Sequence, residues 1–133
     1  MSETVIACEP GLRFRATHAD SGTVLVMDGP KELGGSGESF SPSDLLSLSL
    51  GGCILGTMAV AARSMDIDIE RPTAAVCKEM GGTPRRITHL SVVIRVPGKF
   101  DERQRRKLEA AAHACPVHSA LGIDAPIGFD WVG

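Results

Sequence analysis

The chain has 133 residues, of which 43% are hydrophobic and 23% are charged, and its formal net charge is −2. This length and composition predict one globular domain over residues 1–133. The slightly acidic charge gives no electrostatic reason to expect a nucleic acid or an anionic membrane as partner. The first residues, MSETVIACEPGLRFR, lack a basic segment followed by an apolar run, so we expect no signal peptide and a cytoplasmic protein.

The first part of the chain has the pattern of an antiparallel meander. Turn signals separate three short segments rich in β-branched residues: 4–8, 12–18 and 23–28. In the second segment Arg13 and Arg15 alternate with apolar residues, so they lie on one face of the strand. The simplest interpretation of both arginines is a solvated sheet face. Residues 28–42 are rich in turn formers, which predicts a loop long enough to border a site.

The segment from Ser41 to Ser64 predicts a long helix around which the chain is organised. Ser41 is suited to cap the helix, Pro42 to begin it, and Asp44 to favour the positive end of its dipole. No further charge occurs before Arg63. A membrane span needs about 20 apolar residues, but serines and three glycines dilute the apolarity here. A helix buried on all sides is therefore the better interpretation.

Small residues recur at helical spacing along this helix: Ser49, Gly52, Gly56 and Ala59. Such a stripe lets a second backbone approach closely, although each interior glycine costs about 1 kcal/mol relative to alanine. Because so small a chain has few elements with which to cover a helix all round, we expect a second copy of the protein to cover part of it.

The rest of the chain predicts two further strands, an amphipathic helix, a short second helix and a last strand: residues 67–80, 87–96, 101–114, 115–121 and 127–133. The predicted order is three strands, a buried helix, two strands, one or two helices and a final strand. This order predicts an α+β protein with antiparallel sheets.

Cysteine is the residue type most suggestive of chemistry, and the spacing of the four is not that of a small disulfide scaffold: Cys8, Cys53, Cys77 and Cys115. We interpret Cys8 and Cys77 as small buried hydrophobes. Cys53 lies in the middle of the long helix, among glycines. Cys115 precedes a proline at a helix junction, where amide groups and His118 are expected to lower the pKa of its thiol. The alternative is a structural cysteine at a kink beside a surface histidine.

Two stretches carry a family pattern: DGPKELGGSGESFSPSDLLSLSLGGC and CPVHSAL. The first is similar to the glycine-rich loop, Pro-initiated helix and first cysteine of the OsmC/Ohr family of osmotically inducible and organic-hydroperoxide-resistance proteins. The second is similar to its second-cysteine motif, and the GGC and CPVH variants resemble the less-characterised branch. The resemblance implies one OsmC-like domain, with sheets around a buried central helix, in an intertwined homodimer whose subunits share both active sites.

The resemblance also implies thiol-dependent reduction of organic hydroperoxides without metal, flavin or other cofactor. Cys53 matches the peroxidatic thiolate, and Cys115 matches the resolving thiol that forms a disulfide with it. An external thiol or lipoyl-type dithiol then reduces the disulfide. The family arginine that favours the thiolate corresponds to Arg13, with Arg15 as the second choice. His118 is a supporting residue in this scheme.

One position departs from the family pattern. In the Ohr and OsmC branches a glutamate follows the helix-initiating proline and holds the arginine, whereas this chain has Ser43 there. Asp44 follows, but one residue turns a helical side chain by about 100°. A capping role and a catalytic role are therefore equally open for Asp44. Without the clamp we expect weak peroxidase activity or a different substrate.

Two functions of different classes remain open at this point. The first is a two-cysteine hydroperoxide reductase. The second is a dimeric binding protein without peroxidase activity, whose Cys53 cleft holds a small hydrophobic or thiol-bearing ligand. A zinc site formed by Cys53, Cys115 and either His113 or His118 is a more remote third, because no close ligand spacing favours it.

Overall fold

The computed structural model describes residues 3–133, and the chain forms two compact units, Met1–Leu46 and Ser47–Gly133. The first unit contains a three-stranded antiparallel sheet in the order β1-β2-β3: β1 Ile6–Glu9, β2 Arg13–Thr17 and β3 Val24–Asp28. The predicted meander is therefore confirmed. The loop after β3 contains a short 3₁₀ helix, Lys31–Leu33.

An ion pair joins β2 to β3. Arg13 and Asp28 are opposite each other in the strand register, and Arg13 Nε donates to Asp28 Oδ1 at 2.9 Å. The Asp28 side chain is only 1% exposed. Hydrogen bonding from Arg13 lowers the pKa of the Asp28 carboxyl, although burial acts in the opposite direction. Asp28 therefore remains ionised and paired at neutral pH.

The long helix is α1, Pro42–Ser64, as predicted. Its predicted cap is confirmed: the Asp44 N–H donates to Ser41 Oγ at 3.1 Å, and the Ser41 N–H donates to Asp44 Oδ2 at 3.0 Å. Serine and aspartate three residues apart thus satisfy each other's backbone groups where the helix begins.

The second unit contains a mixed sheet in the order β4-β5-β6: β4 Thr73–Gly81, β5 Arg86–Pro97 and β6 Ile127–Val132. β4 and β5 are antiparallel, whereas β6 pairs with β5 in parallel, which corrects the expectation of antiparallel pairing throughout. A parallel pair needs a long crossover. Residues 98–126 supply it through two helices, α2 Glu102–His113 and α3 Pro116–Ala120.

The strand β4 begins later than the predicted residue 67. Asp66 and Arg71 both have left-handed backbone conformations, with φ of 59° and 50°. A residue with positive φ cannot continue an extended strand. The segment before Thr73 therefore connects α1 to the sheet without pairing.

One face of α1 packs on this sheet. Its residues recur at helical spacing and are buried: Leu50, Ile54, Met58 and Ala62. They share one hydrophobic core with alternate residues of β5: Leu90, Val92, Ile94 and Val96. At Gly51 the helix approaches β4 so closely that a Cβ would lie 3.1 Å from Val76 Cγ2 and 3.3 Å from Ala74 Cβ. Gly51 thus sets the distance between helix and sheet.

The chain alone buries only one side of α1, where the sequence predicted burial on all sides. The opposite face is exposed and consists of small and apolar residues: Leu48, Ser49, Gly52, Gly56, Ala59 and Val60. A single sheet covers only half of a helix. By length and composition α1, whose most apolar 18-residue window has a mean hydropathy of 1.9, would also suit a membrane span, but a helix in the core of a globular protein meets the same criteria.

We predict that Gly51→Val destabilises the protein by about 1–3 kcal/mol, the usual cost of overpacking. The branches on the new Cβ would overlap with Val76 and Ala74. Ala110→Val, at an exposed position of α2, is the control, and helix propensity limits its cost to about 0.7 kcal/mol. Urea unfolding followed by circular dichroism measures both. Equal losses of unfolding free energy in the two variants would contradict the close approach of α1 to β4.

We predict that Asp28→Asn lowers stability at neutral pH, because it removes the ion pair with Arg13. Since the pKa of folded Asp28 lies below its usual value of 3.8, its contribution is complete above that pH and is lost as the pH falls through the lower folded value. The difference in the free energy of unfolding between wild type and variant should therefore shrink only in this acidic range. Urea midpoints measured across pH test this, with Glu9→Gln as the exposed-carboxylate control. If the stability difference between wild type and Asp28→Asn stays unchanged in acid, the ion pair is not its cause.

Candidate functional site

The second unit brings two thiols together. Cys53 projects from the middle of α1 and is half-buried, whereas Cys115 precedes α3 and is 0% exposed. The two side chains are hydrogen-bonded to each other, and both cysteines are free. If either sulfur is oxidised to a sulfenic acid, the other is positioned to condense with it to a disulfide.

The helix junction predicted at Cys115 is confirmed. Upstream, a capping box begins α2, in which the Gln104 N–H donates to Asp101 Oδ1 at 2.8 Å. Cys115 then serves as the N-cap of α3, because its sulfur accepts from the His118 N–H at 3.4 Å, and Pro116 occupies the first helical position. The Cys115 sulfur is therefore fixed by the backbone on one side and by Cys53 on the other.

The expected lowering of the Cys115 pKa is wrong. Burial raises the pKa of this thiol, and its hydrogen bond with Cys53 raises it further. The amide groups of Val117 and His118 act in the opposite direction but do not outweigh these effects. Cys115 therefore keeps its proton at neutral pH.

The imidazole of His118 points toward the loop before β6. Its Nε2 lies 2.8 Å from the Ala125 carbonyl oxygen, and because a carbonyl only accepts, the proton is assigned to Nε2. The ring also packs edge-on against His113, with centroids 6.2 Å apart. His118 thus contacts the Cys115 sulfur through its backbone amide and ties α3 to the loop through its ring.

In the first unit the two candidate arginines have different acidic partners. Arg15 Nε lies 3.2 Å from Glu9 Oε2 in a solvent-exposed pair. Arg13 is held by the buried Asp28, and its Nη2 also lies 3.5 Å from Glu38 Oε2 in the loop after β3. Hydrogen bonding and charge from Asp28 raise the pKa of Arg13. Of the two guanidinium groups, that of Arg13 has the buried partner.

Sequence reasoning missed Asp28 and Glu38. Asp28 ends the third predicted strand, and a register count from the β2–β3 turn would have placed it opposite Arg13. Glu38 lies in an irregular, glycine-rich loop, where no periodic pattern indicates which side chains meet. Asp44, the carboxylate that the sequence did single out, accepts from the Ser41 amide in the helix cap.

Cys8 and Cys77 are exposed, contrary to their interpretation as buried hydrophobes. Successive side chains of a strand point to opposite faces. In β4 the residues on either side of Cys77 are more buried than Cys77 itself, so the alternation directs its thiol to the outer face of the sheet. Composition alone does not reveal which face a strand cysteine takes.

The zinc hypothesis requires a cluster of ligands around the two thiols. Within the described part of the chain, no group of three or more His, Cys, Asp or Glu side chains has an arrangement that would hold a metal ion. The two cysteines and the histidines near them therefore provide no metal-binding set in this structure.

Comparisons with known proteins identify the family. The pattern of the family described as "OsmC-like protein" matches residues 35–129. An uncharacterized protein of Acinetobacter baylyi is 26% identical over 121 residues, which cover 89% of this chain and 84% of that protein.

Solved structures agree with this assignment. A Psychrobacter arcticus protein named for osmotic stress and detoxification is 32% identical, with a TM-score of 0.89 and coverage of 98% of this chain and 96% of that chain. An organic hydroperoxide resistance protein, OsmC, from Legionella pneumophila has a TM-score of 0.74 at 18% identity, with coverage of 100% and 98%, and this likeness shows the fold. The chain therefore belongs to the OsmC-like protein family.

Proposed function

We propose that this protein reduces organic hydroperoxides through Cys53 and Cys115. The contact between the two free thiols carries the proposal. Family membership supports it, because fold relatives from Legionella pneumophila and Bacillus subtilis are named organic hydroperoxide resistance proteins. A pair of adjacent cysteines can reduce a peroxide without a metal or flavin, provided that an external thiol reduces the resulting disulfide.

In the first proposed step, the Cys53 thiolate attacks the distal oxygen of the hydroperoxide. The O–O bond breaks, the leaving alkoxide takes up one proton to become an alcohol, and Cys53 becomes a sulfenic acid. We assign Arg13 as the cation that favours the thiolate and the developing alkoxide. Its ion pair with Asp28 supports this role, since a fixed guanidinium needs no reorganisation when charge develops.

In the second step, the Cys115 sulfur attacks the Cys53 sulfur. The S–O bond breaks, hydroxide leaves with the Cys115 proton as water, and a disulfide forms. The raised pKa of Cys115 suits this order, because Cys115 remains a thiol until Cys53 has been oxidised. An external thiol or lipoyl-type dithiol then supplies two electrons and two protons, which we expect in the reducing cytoplasm.

We predict that one equivalent of cumene hydroperoxide converts reduced wild-type protein to a Cys53–Cys115 disulfide, detected by mass spectrometry of the remaining thiols. Neither Cys53→Ser nor Cys115→Ser should form this bond, and sulfenic or over-oxidised Cys53 should accumulate only in Cys115→Ser. Cys77, one of the two exposed cysteines, provides the control, and Cys77→Ser should behave as wild type.

One outcome would overturn the peroxidase proposal. If both thiols survive while a known hydroperoxide reductase reacts under the same conditions, the alternative of a binding protein with a small ligand at Cys53 replaces it. Ser43, which stands in the family's glutamate position, is the feature of the chain that favours this alternative.

We also propose that the protein is a homodimer whose subunits meet through the exposed face of α1. This face combines small residues with exposed Leu48 and Val60, which are 50% and 60% exposed in the single chain. Glycines permit close backbone approach, and burial of such apolar area favours association. Cys53 lies in the same helix, so the partner would enclose its site.

We predict that Gly56→Arg converts the dimer to a monomer. Apart from its chain neighbours and the adjacent backbone of its own helix, no atom of the described chain lies within 4 Å of a Cβ placed at Gly56, so the protomer itself accommodates the change. A dimer interface, by contrast, would bury an unpaired charge. Sedimentation velocity measures the mass, with Ala110→Arg on α2 as the control. A wild-type monomer, or a Gly56→Arg protein of unchanged dimeric mass, would reject this interface.

A further inference from the structure

The Cys115 sulfur is oriented by a very short helix. α3 has only five residues, Pro116–Ala120, and the His118 N–H in it donates to the Cys115 sulfur at 3.4 Å. A helix shorter than about 12 residues is not stable by itself in water. Contacts with the rest of the second unit must therefore hold α3 in place, and the position of the Cys115 sulfur depends on them.

The ring of His118 makes one such contact, with a rigid part of the core. Its Nε2 donates to the Ala125 carbonyl oxygen at 2.8 Å, and Ala125 is buried within the hydrophobic core. The next residue of the loop is bound to the central strand β5, because the Val92 N–H donates to the Pro126 carbonyl oxygen at 3.0 Å. A series of bonded groups thus leads from the core strand through His118 to the Cys115 sulfur.

We propose that His118 is a positioning residue that holds the Cys115 sulfur against Cys53 and thereby sets the rate at which their disulfide closes. This inference deepens the proposed function and rests on it in one respect, the assignment of Cys53 and Cys115 as the pair that bonds. The backbone amide of His118 orients the sulfur, and its ring fixes the amide. Without the ring contact, the Cys115 sulfur would spend less time facing Cys53, whereas the reactivity of Cys53 itself would not change.

The test measures disulfide closure without a hydroperoxide. One equivalent of dipyridyl disulfide is added to reduced protein in which the exposed Cys8 and Cys77 are replaced by serine. Cys53 attacks the reagent, whose S–S bond breaks, and one thiopyridone leaves with a proton. Cys115 then attacks the Cys53 sulfur of the mixed disulfide, and a second thiopyridone leaves with the Cys115 proton. Stopped-flow absorbance separates the two releases, and the second one reports the closure.

We predict that His118→Leu slows the second release about two- to tenfold, the range for one lost hydrogen bond, and leaves the first release unchanged. His118→Gln should restore the second release, because the amide nitrogen of glutamine can donate to the Ala125 carbonyl oxygen. Ser119→Ala is the matched control in the same helix. It removes a hydrogen bond from Ser119 Oγ to the Cys115 carbonyl oxygen, at 3.2 Å, which does not involve the sulfur, so both releases should keep their rates.

Three outcomes would overturn the role of His118. One is an equally fast second release in wild type and His118→Leu. Another is an equal slowing in Ser119→Ala, which would mean that any loosening of α3 has this effect. The third is a wild type that releases a single equivalent, because Cys53 and Cys115 would then not bond and the disulfide step of the proposed function would fail as well. If the releases behave as predicted but hydroperoxide leaves both thiols intact, the peroxidase proposal fails and the role of His118 stands.

Discussion

The packing of α1 against the second sheet is the interaction on which the thiol site depends. The buried row of the helix holds it on β5, and Gly51 allows it to approach β4 to the distance of side-chain contact. Cys53 is adjacent in sequence to buried Ile54 but is itself half-buried. Its sulfur is thereby brought to the border between core and solvent, where it meets Cys115.

The second half of the site follows from the crossover that makes β6 parallel to β5. The crossover contains α2 and α3, and their junction is the position of Cys115. The same segment continues to the loop in which Ala125 accepts from His118. The reversal of the chain, the N-cap of α3 and the position of the Cys115 thiol thus all follow from one topological feature, the crossover. This arrangement buries the Cys115 sulfur, and burial, rather than the short helix beside it, determines the direction of its pKa shift.

Local features could be predicted from the sequence, and non-local ones could not. The cap of α1 requires only that Ser41 and Asp44 be three residues apart, and the meander requires only short alternating segments between turns; both were predicted. The direction of β6 depends on where the 29-residue crossover returns the chain to the sheet. No short sequence pattern predicts this. The pKa of Cys115 likewise depends on how deeply the sulfur is buried. The resemblance to a family identified Cys53 and Cys115, whereas spacing alone did not.

The partner of Arg13 illustrates the same distinction. A carboxylate opposite the arginine on a neighbouring strand is held by the ladder itself, since facing Cβ atoms lie about 5 Å apart in an antiparallel pair. Asp28 occupies that position, and its burial means that losing the pair would leave a desolvated charge. A glutamate at position 43 would have to reach the guanidinium from a different element. Because Asp28 already orders Arg13 within its own sheet, the helix start is free to use Ser41, Ser43 and Asp44 as a polar cap. In this chain, therefore, Arg13 has a carboxylate partner although position 43 is a serine.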